Sequence, residues 1–201
     1  MQETIKNKKG IDTKTIAKIG MLAAISYILM FISVPLPIFP SFLKIDVSDI
    51  PAILGGFALG PVPGFIIVVI KNTLQAVTAT TTGGIGEFAN IIIGGSYVFI
   101  LSMVYKYKKD IKGVLIGSIL GIMAMTIVGC VVNYYVMLPL YGKMMGLDAI
   151  ISMGAVINPR VNDLLSFVIW MIAPFNIVKG LVMSLCITPI YKKTSNIISK
   201  L

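Results

Sequence analysis

TATTTGGIGEFAN, residues 78–90, places four threonines, three glycines, a glutamate and an asparagine between two strongly apolar segments. The reading of those flanks, FIIVVIKNTLQAV before the stretch and IIIGGSYVFILSMVY after it, decides the fold. The chain has 201 residues, 57% hydrophobic and 12% charged, and several of its apolar runs are long enough to cross ~30 Å of hydrocarbon as helices. The sequence therefore predicts an all-α integral membrane protein, with residues 1–201 forming one membrane domain. The polar stretch is then the corner between two spans. So much hydrogen-bonding capacity in a membrane chain needs a use, and we read it as one wall of a pocket opening to the outside.

The span before the corner, approximately 62–78, carries Lys71, Gln75 and Thr78 on one helical face. A lysine inside a span is costly unless it pairs or faces water, so this stripe is either a cavity wall or the seat of an ion pair with Asp46 or Asp49. The span after the corner, 86–106, aligns Glu87, Asn90, Gly94 and Tyr97 into a polar groove. Upstream, VPLPIFPSFLKIDVSDIP has prolines at 35, 37, 40 and 51, which exclude a continuous helix and favour an extended, ordered outer loop, loop 1. Ser48 or Asp49 is placed to cap the helix that follows, 49–60, which is short for a crossing, and GPVPG at 60–64 is its inner turn. In span 1, 16–34, Gly20 and Ala24 lie one turn apart. Such a small pair admits a close neighbour either within the bundle or on a partner, and spacing alone favours the former.

Downstream, span 5, 112–138, has Gly113, Gly117 and Gly121 on one face for close packing, and further on a stripe of Thr126, Cys130, Asn133 and Met137. Residues 139–163 read as a long outer connection, a lid or a mobile linker. Span 6, 164–192, is expected to break at Ala173-Pro174, after which Asn176 and Lys179 share a face.

The net charge of +9 does not indicate a nucleic-acid partner, because the basic residues cluster at span ends. Lys6, Lys8, Lys9, Lys14 and Lys18 head the first span, Lys106, Lys108, Lys109 and Lys112 lie between spans 4 and 5, and Lys192, Lys193 and Lys200 follow the last. The positive-inside rule puts all three groups, including the basic tail 1–14, in the cytoplasm. Both termini are then inside, an even number of crossings is required, and a six-transmembrane-helix bundle, N-in/C-in, satisfies it. The first apolar run is too long for a signal peptide and has no small-residue cleavage site, so residue 1 is expected to begin the mature protein.

In that topology Asp46, Asp49, Glu87, Asp148, Asp163 and the amides gather toward the outer surface, while the inner half is glycine and apolar side chains. This is a one-ended pocket that captures a ligand rather than a pore. Cys130 and Cys186 have no metal-type spacing and the chain has no histidine, which points away from zinc, haem and His-based catalysis. Gly84, Gly86 and Ala89 match G-x-G-x-x-A by chance, since no strand precedes them.

FPSFLKIDVSDIPAILGGFALGP, IKNTLQAVTATTTGGIGEFAN and APFNIVKG together resemble the substrate-binding S components of energy-coupling factor (ECF) vitamin transporters, and among them the riboflavin-binding branch. The resemblance covers nearly the whole chain. It implies a multi-pass protein of the bacterial cell membrane that is not an enzyme and needs no cofactor, riboflavin being the transported ligand. It also implies a partner module of one transmembrane coupling subunit and two ATPases, consistent with the absence of a G-x-x-x-x-G-K-[ST] loop here. In the family a small-xxx-small motif on the first helix contacts the coupling subunit. Gly20 and Ala24 match it, with glycine in place of the usual first alanine, and the docking role becomes the expected one.

The chemistry suits such a ligand. An isoalloxazine ring is flat and apolar with a pyrimidine edge of acceptor, donor and acceptor, which Asn133, Asn176 and Lys179 can read. Thr82, Gly83, Glu87 and Asn90 are expected to meet the ribityl hydroxyls, and Phe42, Leu43, Lys44 and Asp46 of loop 1 to close over the top. The rival readings are the same scaffold with another vitamin, such as thiamin or biotin, and a small membrane enzyme using Glu87 or Asp163 as base.

Overall fold

The computed structural model describes residues 12–198, so Lys6, Lys8, Lys9 and Lys200 lie outside the described residues. Helix α1 (Thr13–Met30) leads into a two-stranded antiparallel ribbon, β1 (Val34–Pro35) and β2 (Lys44–Ile45), that forms the frame of loop 1. The short α2 (Asp49–Leu59) and α3 (Pro61–Thr78) form a hairpin, and α4 (Ile85–Tyr107) and α5 (Ile111–Val132) form another. A π-helical turn, Asn133–Met137, joins α5 directly to α6 (Leu138–Met145), followed by α7 (Leu147–Ile157). The last rod is α8 (Leu164–Phe167), a second π-helical turn (Val168–Ile172) and α9 (Ala173–Ile198).

Five of these helical rods are long and apolar enough to cross a membrane: 13–30, 61–78, 85–107, 111–145 and 164–193. Their outward faces are largely apolar, as Ile16, Met21, Ile119, Ile127 and Leu185 illustrate, which is the surface a bilayer requires rather than water. Polar side chains within the rods turn back on their own helices: the hydroxyls of Thr73, Ser184 and Thr188 each donate to the carbonyl four residues earlier. Thr78 does the same toward Leu74, so the Tyr27 hydroxyl must donate in the 2.7 Å contact that ties α1 to α3.

Two features differ from the sequence expectation. The connection 139–163 is largely helical, not a linker, and the rod through Ala173-Pro174 is continuous, not broken. One cause lets α6 continue from α5 and keeps the last rod unbroken. Proline has no N–H for the carbonyl four residues back, and its ring crowds that carbonyl. Each π-helical turn ends two residues before a proline, Pro139 or Pro174, and the wider turn relieves the crowding without ending the helix.

The packing separates into two apolar clusters. One is built around Ile53, Ile67, Val68, Tyr97 and Leu101, with Gly117 and Gly121 of α5 set against Leu101 and Tyr97 of α4 so closely that a Cβ at either would lie within 3 Å of those side chains. The other, at the loop-1 end, gathers Phe39, Met137, Leu138, Tyr141, Phe167 and Phe175.

Candidate ligand-binding site

Between the clusters lies a cavity of about 490 Å³, lined from loop 1, the 78–90 corner, the ends of α1 and α3, α4, α5, α6, α9 and the two π-helical turns. Its polar wall is assembled from three rods. Asn133 opens the first π-helical turn and donates through Nδ2 to the Gly129 carbonyl at 2.8 Å; Asn176 donates in the same way to Ile172 at 2.9 Å. Each amide is thereby fixed by its own helix while its side chain lines the cavity. Gly129 lets α5 and α9 approach closely, because a Cβ there would sit 2.6 Å from the Asn176 amide nitrogen. Lys179, 5% exposed, donates to Asn90 Oδ1 at 3.3 Å and lies 3.6 Å from Asp46 Oδ2.

Asp46 thus links loop 1 to α9. Burial acts to raise its pKa but is outweighed by Lys179, Lys71 and the hydrogen bonds from Ser48, which bring it down to about 2. Ser48 donates to Asp46 through its backbone nitrogen and its hydroxyl, and Lys71 donates to both Ser48 and Asp49. Neither Ser48 nor Asp49 caps α2 with its side chain as expected; both are drawn into this ion cluster instead. Of the two readings of Lys71, the structure has the ion pair with Asp49, and Lys71 does not line the cavity although Gln75 does. Gly94 provides the space: a Cβ there would lie 3.1 Å from the Asp49 carboxylate.

At the 78–90 corner, Glu87 Oε2 accepts from the hydroxyls of Thr80 and Thr82, each at 3.0 Å. Phe42, Leu43, Lys44, Asp46, Thr82, Glu87, Asn90, Asn133, Asn176 and Lys179 all border the cavity. Gly83 does not. It sits at φ +61°, in a left-handed turn that glycine adopts freely, and faces Met144 instead. Tyr97, grouped with the groove by periodicity, lies beyond the cavity and bonds Ser184 at 2.8 Å. The sequence reading missed the apolar walls, namely Tyr141, Ile93, Met125, Ile172 and Phe175. Tyr141 carried a signal, a phenol two residues after Pro139, but in a segment read as a connection. Phe42 stacks at 6.3 Å and 10° on Phe167 and lies 5.4 Å from the Tyr141 ring, so loop 1 is anchored by aromatic contact as well as by Asp46.

Asp163 sits away from this wall, capping α8 through Ser166, with its pKa lowered by those hydrogen bonds. Among the described residues there is no cluster of metal-ligating groups.

Residues 14–191 match the family described as ECF transporter, substrate-specific component. The chain belongs to that family and is a membrane-embedded transport component, not an enzyme. It is 35% identical over 94% of its length to "Riboflavin transporter RibU" of Staphylococcus aureus (strain TCH60), spanning 95% of that protein. It is 32% identical over 91% of its length to "Riboflavin transporter FmnP" of Bacillus subtilis (strain 168), spanning 93% of it. A solved structure described as "Structure and mechanism of the S component of a bacterial ECF transporter" superposes with a TM-score of 0.73 at 34% identity, covering 92% of this chain and 97% of that one.

Proposed function

We propose that this chain is the riboflavin-binding subunit of an ECF-type importer in a bacterial cell membrane. The observation that carries the reading is the convergence of Asn133, Asn176 and Lys179, with Asn90, on a cavity that Phe42, Tyr141, Ile93, Ile172 and Phe175 also line. Two fixed amides and an ammonium supply donors and acceptors for the pyrimidine edge of an isoalloxazine ring, and Phe42, Tyr141, Ile93, Ile172 and Phe175 supply its two faces. Thr82, Glu87 and Asn90 meet the ribityl hydroxyls. A cavity near 490 Å³ is in the range that encloses a ligand of this size.

In this reading α2 is the sixth, short crossing, both termini are cytoplasmic, and loop 1 faces outward. Capture occurs at the outer face. Asp46 on Lys179 and Phe42 on its aromatic neighbours hold loop 1 closed, and the subunit reorients when a coupling subunit docked on α1 and two ATPases use ATP. The exposure of both Gly20 and Ala24 supports docking there rather than packing within the bundle.

Detergent-purified protein is expected to quench riboflavin fluorescence with nanomolar affinity, on the order of −12 kcal/mol. Absence of quenching at micromolar protein removes the flavin claim and leaves the scaffold to another vitamin. Lys179→Ala or Asn176→Ala is expected to weaken riboflavin at least tenfold with the thermal transition retained. Wild-type affinity in both variants would overturn the edge-reading assignment.

A further inference from the structure

Asn133 and Asn176 stand on different rods, and one residue meets both. The carbonyl of Gly129 accepts from Asn133 Nδ2, while the space left by its missing side chain is taken by the Asn176 amide. Gly129 is buried in α5 and does not line the cavity itself. The other glycines of α5 have different neighbours. A Cβ at Gly113, Gly117 or Gly121 would first meet the Lys108 carbonyl, Leu101 or Tyr97, and none of these residues borders the cavity. At Gly129 it would first meet Asn176, 2.6 Å from Nδ2 and 3.1 Å from Cγ, and then Ile93 at 3.4 Å; both of these residues line the cavity.

The Asn176 amide is held from its own helix as well. Its Nδ2 donates to the Ile172 carbonyl, and its Oδ1 receives no hydrogen bond from the described residues, so that oxygen is free to accept from a ligand. The amide is thus set between the Ile172 carbonyl and the bare Cα of Gly129, and a methyl group at 129 would intrude on it. The backbone at 129 is ordinary α-helix, where alanine is favoured over glycine, so the helix itself has no need of a glycine there. What a methyl group meets is the end of a side chain. The contact is then relieved by turning the amide away from Ile172 rather than by parting α5 from α9.

We infer that Gly129 is a positioning residue of the binding site that acts through Asn176, its missing side chain fixing the angle at which the amide addresses the ligand. The inference rests on the flavin reading above for the identity of that ligand. It goes beyond that reading by placing a determinant of affinity behind the cavity wall, on a residue with no side chain.

The test is a double-mutant cycle of Gly129→Ala and Asn176→Ala, read by riboflavin fluorescence titration and by the thermal midpoint of the ligand-free protein. Gly129→Ala alone is expected to weaken riboflavin at least tenfold. In the Asn176→Ala background, where the amide is already gone, the same change is expected to weaken it no more than twofold further. Affinity within twofold of wild type in Gly129→Ala overturns the inference. So does an equal loss in both backgrounds, which is the mark of a general packing defect. The midpoint gives a second reading: the shift caused by Gly129→Ala is expected to be more favourable in Asn176→Ala than in wild type, and equal shifts overturn the inference. If Gly129→Ala alone does not fold, recovery of affinity and midpoint to the Asn176→Ala level in the double variant supports the inference, and failure to recover overturns it. If wild type quenches no riboflavin, the flavin reading fails and the midpoints alone decide the role of Gly129.

Discussion

Gly20→Trp is expected to abolish riboflavin uptake by cells that carry the chain with its coupling module, while purified protein binds riboflavin as wild type does. A Cβ built at Gly20 meets no atom within 4 Å, so the indole has nothing inside the protein to displace. Ala24, one turn on, is also exposed, while Ile19, Ala23, Ser26 and Met30 carry the buried face of α1. The substitution therefore acts only on whatever approaches this flat face from outside, where a large ring forbids the close helix contact that small residues permit. Gly20→Ala, still small, is expected to keep uptake. Undiminished uptake in Gly20→Trp would sink the docking assignment and leave this face to lipid.

The second large effect is on stability. Lys71 is 2% exposed, and its ammonium is shared between Asp49 and Ser48, with Asp46 hydrogen-bonded to the same serine. Lys71→Met removes the cation and strands the Asp49 carboxylate among α2, α3 and α4, a loss of about 3–5 kcal/mol by the usual cost of breaking one side of a buried pair. The measurement is the unfolding midpoint of detergent-purified protein, with Asp49→Asn added to Lys71→Met as the second arm. The double variant is expected to recover most of the loss, since no uncompensated charge remains. A single variant that unfolds at the wild-type midpoint would show that the pair contributes little.

Several residues that line the cavity were legible from helical spacing alone. Asn90 falls in register with Glu87, and Lys179 with Asn176, because a three-residue step returns to the same face; Asn133 stood out as an amide inside an apolar span. Membrane chemistry made them conspicuous, since an amide or ammonium there must have a partner or a ligand. Lys71 was legible as needing a partner, but sequence could not choose between water and Asp49. The choice is made by Gly94 of α4, whose missing side chain leaves room for the carboxylate. The apolar walls were invisible for a different reason: Ile93, Met125 and Phe175 have the same chemistry whether they face lipid, core or ligand. Gly83 was misplaced because proximity to Thr82 in sequence does not survive a left-handed turn.

The two π-helical turns do more than pass a proline. Each holds one residue more than an α-helical turn, so the rod beyond it is out of phase with the rod before it. Asn133 and Tyr141 are eight positions apart, which at 100° per residue puts them about 80° apart around a regular helix. One residue of slip between them reduces this to about 20°. The phase slip therefore lets a single rod present an amide and an aromatic ring to the same cavity from two different levels, a pairing that a regular heptad-like stripe on this sequence would not deliver.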